Sequence, residues 1–185
     1  MSPAAAPDLT AIIVMGVSGA GKSTIAALLA GRLGWTYEDA DWFHPPHNIE
    51  KMHSGQPLTD EDRWPWLEGM AAWIEATRAA GGHGVLACSA LKQSYRRVLC
   101  AGGRDVRLIY LKGDRELIAR RTSMRHGHFM PPALLDSQFA ALEEPTEEER
   151  AIVVSIDARP QQVVECVLAK LAIAATPAVA SASRS

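Results

Sequence analysis

The chain has 185 residues, is 48% hydrophobic and carries 19 lysines and arginines against 21 acids, a formal net charge of −2. That length and apolar content suffice for one buried core, while the near-neutral balance, with no lysine–arginine block, excludes a general nucleic-acid binder. Three cysteines, Cys88, Cys100 and Cys166, are odd in number and form no C-x-x-C pair, which points to reduced thiols rather than a disulfide framework.

"MSPAAAPDLT" at the start has no basic residues and no apolar stretch of signal-peptide length, and no run approaches the ~18 apolar residues of a membrane span. The expectation is a cytoplasmic protein with no membrane partner, a flexible N-terminus over 1–10 and a disordered tail over 174–185, where "AATPAVASASRS" is small and aperiodic.

Between these ends, short apolar runs alternate with helical patterns. "AIIVMG" (11–16), "WTYED" (35–39), "GVLACS" (84–89), "VRLIYLK" (106–112) and "AIVVSID" (151–157) read as buried strands. Residues 22–33, 61–80, 92–100, 114–125 and 160–173 read as helices. This alternation predicts an α/β fold, a parallel sheet with helices on both faces and its strand C-terminal ends along one ligand-binding edge. Segments 40–60 and 125–136 break the alternation and read as substrate loops or a lid on that edge.

The first strand runs into "GVSGAGKST" (16–24), the spacing G-x-x-x-x-G-K-[ST] between a strand and a helix. Glycines there let backbone N–H groups turn inward onto phosphate oxygens; Lys22 reaches the β/γ-phosphates and the Ser23 hydroxyl can ligate Mg²⁺. The positive end of the following helix adds to the cradle. A guanine-reading N-K-x-D is missing, since the single asparagine, Asn48, lies in "NIEK", and "GVLACS" ends in Ser89 where a motor-type ATPase keeps an acid. The acids follow the second strand instead. Asp39 and Asp41, two apart, would share one side of an extended backbone, one toward Mg²⁺ and one toward an acceptor hydroxyl; the plain alternative is a strand end capping the next turn.

Arg121 and Arg125 fall four apart on one face of a helix, beside Gly127, where they could close over a γ-phosphate; the alternative is a solvated helix face. His44, His47, His53, His126 and His128 lack a ligand spacing, which argues against zinc. Trp42, Trp64, Trp66 and Trp73 read as packing.

With these residues in view, "DADWFHPPHNIEKMHSGQPLTDEDRWPWL" (39–67) resembles the signature of the gluconate kinases (gluconokinases), as do "CSALKQSYRRVL" (88–99), "IYLKGD", "RRTSMRHGHF" and "SQFAALEEP" in the same order. The resemblance spans about Ile12 to Leu171. It implies ATP-dependent phosphorylation of D-gluconate on its 6-hydroxyl, on the three-layer P-loop NTPase fold of the nucleoside monophosphate kinases: a five-stranded parallel sheet with a substrate-binding insertion over about 40–80 and a helical lid over about 121–140, all in one domain over 11–173. Shikimate kinase is a near relative, and a homodimer is common in the family. The resemblance implies an ATP loop of Gly16, Val17, Ser18, Gly19, Ala20, Gly21, Lys22, Ser23 and Thr24, with Ser23 and Asp39 toward Mg²⁺ and Asp41 against the acceptor hydroxyl. Arg63 is implied to grip the substrate carboxylate, as a planar fork can. His44, Lys51, Ser89, Lys92 and Arg96 are implied to line the sugar-acid side, Arg121, Arg125 and His128 the lid, and Gln138 the helix after it. Arg159, in "IDARPQQV", is implied to stack on adenine. A kinase for another carboxylated acceptor, such as shikimate, and a non-catalytic nucleotide-binding regulator are the alternatives.

Overall fold

The computed structural model describes residues 9–101, 103–123 and 132–175. Strand β1 (Ala11–Met15) is buried at every position, and because strand side chains alternate, it feeds two layers at once. Ile12 and Val14 pack with apolar residues of α1 (Lys22–Leu33) and α7 (Pro160–Ala175). Ala11, Ile13 and Met15 pack on the other face with α3 (Asp60–Ala79) and α4 (Gln93–Cys100). The remaining strands are β2 (Thr36–Asp39), β3 (Gly84–Ala87), β4 (Val106–Lys112) and β5 (Ile152–Ser155).

All pairings are parallel, in the order β2-β3-β1-β4-β5. The register sets Val14 beside Ala87, and Ala87 beside Asp39. The exits of β1, β3 and β2 therefore lie level along one edge, as the alternation of strands and helices predicts.

Several segments differ from the sequence reading. Within 40–60 the chain forms α2 (Pro46–His53), where a loop was expected. Pro46 occupies the first turn, where its missing N–H costs nothing. Tertiary contacts hold this short polar helix: fully buried Asn48 donates from Nδ2 to the Asp62 carbonyl at 2.8 Å, and the Lys51 ammonium meets the Asp62 carboxylate at 2.7 Å. Helix α5 (Arg115–Ser123) starts one residue later than expected, because the Asp114 carboxylate caps it by accepting from the Leu117 N–H at 2.7 Å. The described residues also extend beyond the expected limits of 11 and 173. Leu9 is buried, Thr10 N–H donates to the Asp105 carbonyl at 2.7 Å, and α7 runs to Ala175.

Two of the four tryptophans read as packing are not core residues. Trp42 is 64% exposed, edge-on to Tyr37, and Trp64 is 36% exposed, edge-on to Tyr95.

Arg96 of α4 corrects another expectation. It does not face a sugar acid; it is buried, with Nε and Nη2 paired to the two Glu149 oxygens at 2.5 and 2.9 Å. Its Nη1 donates to the carbonyls of Ala90, Leu91 and Glu143 at 3.0, 3.1 and 2.9 Å. One guanidinium thus ties the loop after β3, where Ala90 holds a φ of 43°, to the segment leading into β5. Removing one partner of a buried ion pair strands the other charge. Arg96→Met is expected to lower unfolding free energy by about 3–5 kcal/mol, read from urea denaturation; a loss under ~1 kcal/mol would show that Glu149 and the three carbonyls find water instead.

Candidate active site

The loop from Gly16 to Gly21 leaves β1 and delivers the chain to α1 with its first turn open. The residue preceding the helix, Gly21, sits at φ 92°, and no side chain caps the helix start. Its N–H groups and the dipole of the helix are therefore left for an anion. Gly19, at φ 86°, serves a second purpose: a Cβ there would lie 2.5 Å from the Thr122 methyl group of α5. The loop and α5 touch because this residue has no side chain. Within the cradle Lys22 donates from Nζ to the Val17 carbonyl at 3.1 Å. Burial lowers the Lys22 pKa from its ordinary value, opposed by Cys88, Asp39 and Asp41.

Opposite the cradle, β2 ends at Asp39 and turns. The Asp39 carboxylate accepts from Ser23 Oγ at 2.7 Å, from the Tyr37 hydroxyl at 2.9 Å and from the Asp41 N–H at 3.1 Å. Asp39 and Asp41 thus do not share one extended side. Asp41 lies in a tight 3₁₀ turn (Ala40–Phe43) that Asp39 caps, and both acids still border the same cleft of about 450 Å³. The Ser23 hydroxyl and Asp39 carboxylate form a hard-oxygen pair beside the phosphate cradle, a donor set that fits Mg²⁺ completing its shell with phosphates and water. Among the described residues no group of three or more His, Cys, Asp or Glu converges as a protein-only metal cage.

Helix α3 forms the far wall. Thr59 and Asp62 close a capping box at its start, fixing where Arg63 and Trp66, one turn apart, face the cleft. The Trp66 indole N–H donates to the Ala40 carbonyl at 2.6 Å, and its ring stacks on His44 at 4.8 Å with a 2° interplanar angle. Burial lowers the His44 pKa, with Asp41 opposing and Arg63 assisting. Ser89, whose carbonyl accepts from the Gly16 N–H at 3.3 Å, and Gln138 of α6 (Pro132–Ala141), whose Oε1 accepts from the Ser18 N–H at 3.2 Å, complete the lining.

Other expected residues lie apart. Lys51 is drawn to Asp62, and Lys92 to Asp60 at 2.7 Å, so neither borders the cleft. Arg63 Nη1 also meets Asp60 at 3.1 Å, and the Tyr95 hydroxyl donates to the same carboxylate. Arg121 lies outside the lining of this cleft, and its Nη2 donates to the carbonyls of Ile156 and Ala158. There it borders a second cavity, of about 630 Å³, together with Arg159, Gly21 and Thr24. The two hollows meet at the phosphate loop, since Gly19, Gly21 and Thr24 border both. Arg125 and His128 lie outside the described residues. Trp66 borders the cleft although the sequence reads it as packing; the signal for it is its place one helical turn after Arg63.

A parallel sheet in this strand order, with an uncapped helix after a glycine loop and an acid at the neighbouring strand's exit, defines a P-loop kinase. The same fold, at 15% identity and a TM-score of 0.57, occurs in shikimate kinase from Aquifex aeolicus, and the sequence profile of the shikimate kinase family matches residues 18–172. Nearer relatives are more specific. The chain is 47% identical over 154 residues to a gluconokinase of Gluconobacter oxydans, covering 83% of this chain and 86% of that protein. It is 43% identical over 146 residues to the thermoresistant gluconokinase of Escherichia coli, covering 78% and 83%. A crystal structure of a gluconokinase from Sinorhizobium meliloti superposes with a TM-score of 0.82 at 40% identity, covering 91% and 94%. The chain belongs to the gluconokinase family, within the shikimate kinase-like P-loop kinases, as the motifs over 39–67 lead one to expect.

The acid pairs around α3 carry a pH dependence. The Lys92 ammonium, with the Tyr95 hydroxyl, holds Asp60 from an ordinary 3.8 down to about 2, and Lys51, with the Thr59 N–H, does the same for Asp62. Between those values the unfolded chain binds more protons than the folded one, so stability falls as pH drops through the window. The urea midpoint of the wild type is expected to decline from pH 3.8 to about 2. The decline should be shallower in the Lys51→Met, Lys92→Met double variant; parallel curves would place the acid sensitivity elsewhere.

Proposed function

We propose that the chain transfers the γ-phosphoryl group of ATP to the 6-hydroxyl of D-gluconate, releasing 6-phospho-D-gluconate and ADP. The observation that carries this reading is the cleft itself, in which Lys22 and Ser23 stand on the phosphate side while Asp41, His44 and Arg63 stand on the acceptor side. An acid for a hydroxyl and a guanidinium for a carboxylate, bordering one cleft, match a hydroxy acid.

In this reading Arg63 binds the acceptor's carboxylate and Asp41 accepts a hydrogen bond from the terminal hydroxyl. The oxygen attacks the γ-phosphorus in line as the bond to the β-phosphate oxygen breaks. The hydroxyl proton passes to Asp41 late, because a loose transition state needs little activation of the nucleophile. Lys22 and the open first turn of α1 neutralise charge spreading over the transferred group. Ser23 and Asp39 would hold Mg²⁺, which when bound neutralises the β- and γ-phosphate oxygens. Adenosine is assigned to the cavity beside Arg159 and Thr24, and the lid cations Arg125 and His128 to closure over the phosphates, which would exclude water. The proposal includes a cytoplasmic homodimer, the first supported by the soluble character of the sequence and the second by the family resemblance. A monomer mass by light scattering at assay concentration would remove the dimer.

ADP release coupled to a reporter, with D-gluconate, shikimate and a panel of sugar acids, is the direct test. Turnover with gluconate above all others is expected, and turnover with shikimate alone would overturn the assignment. Asp41→Asn should lower kcat by ~10²–10⁴ with ATP binding intact; unchanged turnover would remove Asp41 from the proton-accepting role. Arg63→Ala should raise KM for gluconate about tenfold or more and leave KM for ATP within about twofold, whereas equal effects on both would make Arg63 a scaffold residue.

A further inference from the structure

Two groups assigned to the acceptor sit on different elements: Asp41 in the turn after β2, and Arg63 on α3. Something must fix their separation, because a kinase that grips one end of a linear acid and orients the other end measures its length. A hydrogen bond from α3 to that turn runs through Trp66, beside an edge-on contact of Trp73 with Phe43. The Trp66 indole N–H donates to the Ala40 carbonyl at 2.6 Å, within a buried contact, and Ala40 is the residue next to Asp41. The same helix turn carries Arg63, three residues earlier. The opposite aspect of the contact is equally constrained: the indole lies flat on His44, 4.8 Å away at 2°, and His44 borders the same cleft as the acid and the guanidinium. Trp66 is itself buried, so its orientation is held by packing with Leu67, Met70 and the Ala40 turn. A rigid bicyclic ring with two χ angles is suited to act as a spacer.

We propose that Trp66 is a positioning residue that sets the distance between Asp41 and Arg63, and thereby selects acceptors by chain length, with its N–H holding the Asp41 turn and its face holding His44. This rests on the assignment of a terminal hydroxyl to Asp41 and a carboxylate to Arg63. Loss of the N–H would let the Ala40–Phe43 turn shift against α3, and a displacement near 1 Å at a reacting group costs on the order of 10²-fold in rate. The loss should fall on the acceptor of matched length most heavily, since shorter acids are already misplaced.

The test compares Trp66→Phe, which keeps an aromatic face and removes the donor, with Ile74→Val, a change on the same helix and in the same apolar layer but outside the cleft lining. Both are assayed with D-gluconate and with a five-carbon aldonic acid bearing a terminal hydroxyl. In Trp66→Phe, kcat with gluconate should fall by about tenfold, KM for ATP should stay within about twofold, and the preference for gluconate over the shorter acid should shrink by roughly fivefold or more. Ile74→Val should lower thermal stability yet keep the preference. An unchanged preference in Trp66→Phe, or an equal loss of preference in both variants, would overturn the proposal. If Trp66→Phe does not fold, Trp66→Tyr, which fills more of the space without a donor in the indole position, carries the same comparison. Wild-type protein inert toward gluconate would instead sink the functional assignment, a result separable from any variant's behaviour.

Discussion

The parallel register of β1 between β3 and β4 is the constraint from which the site follows. Parallel strands need crossovers that return to the same end, so every chain exit that matters leaves the sheet along one edge. With Val14 level with Ala87, and Ala87 level with Asp39, three loops emerge side by side: the phosphate cradle, the loop through Ser89 and the acid turn. β1 can hold this register because its five residues are buried on both faces and a one-residue slip would exchange the two apolar layers. The precision of the cleft is thus inherited from strand pairing, and the loops need only short reaches.

Helix α3 is the second support, and it works by polar contacts. Its capping box, the Lys51–Asp62 pair and the Asn48 bond to the Asp62 carbonyl bind α2 to it, while Asp60 gathers Arg63, Lys92 and Tyr95. These exposed or half-exposed pairs add little stability singly. Their value lies in direction: the carboxylates hold long cationic side chains in defined places around the start of α3. Arg96 does similar work from the interior, spending five N–H contacts on one carboxylate and three carbonyls.

The sequence exposes the sheet and the cradle because both are local. Five apolar runs of the right length and a glycine loop between a strand and a helix carry their own evidence, and the observed strands fall within the predicted ones. Which arginine serves the cleft is not local. Arg63 and Arg96 look alike in a sequence, and only tertiary packing shows one at the cleft and the other neutralised by Glu149 more than fifty positions away. Arg121 is the same lesson at shorter range, its fork occupied by carbonyls of Ile156 and Ala158. Asp39 and Asp41 border one cleft but do not share one extended side, because a side-chain cap from Asp39 ends the strand one residue before the periodicity of two can apply. Helix α2 was hidden for a related reason: its stabilising partners belong to α3, not to its own sequence.

The contact between Gly19 and Thr122 changes how damage to the phosphate loop should be interpreted. Any side chain at Gly19 would push on α5 as well as distort the cradle, so a Gly19 substitution is a lesion in two devices at once, the anion seat and the root of the segment expected to cover it. A variant that still binds nucleotide yet wastes it on water would then be a failure of sealing and not of recognition. Conversely, enlarging Thr122 would mimic a phosphate-loop defect from a residue outside the loop itself. Genetic screens that score only loss of growth would merge these faults, and pairing Gly19 with a smaller residue at 122 would pull them apart.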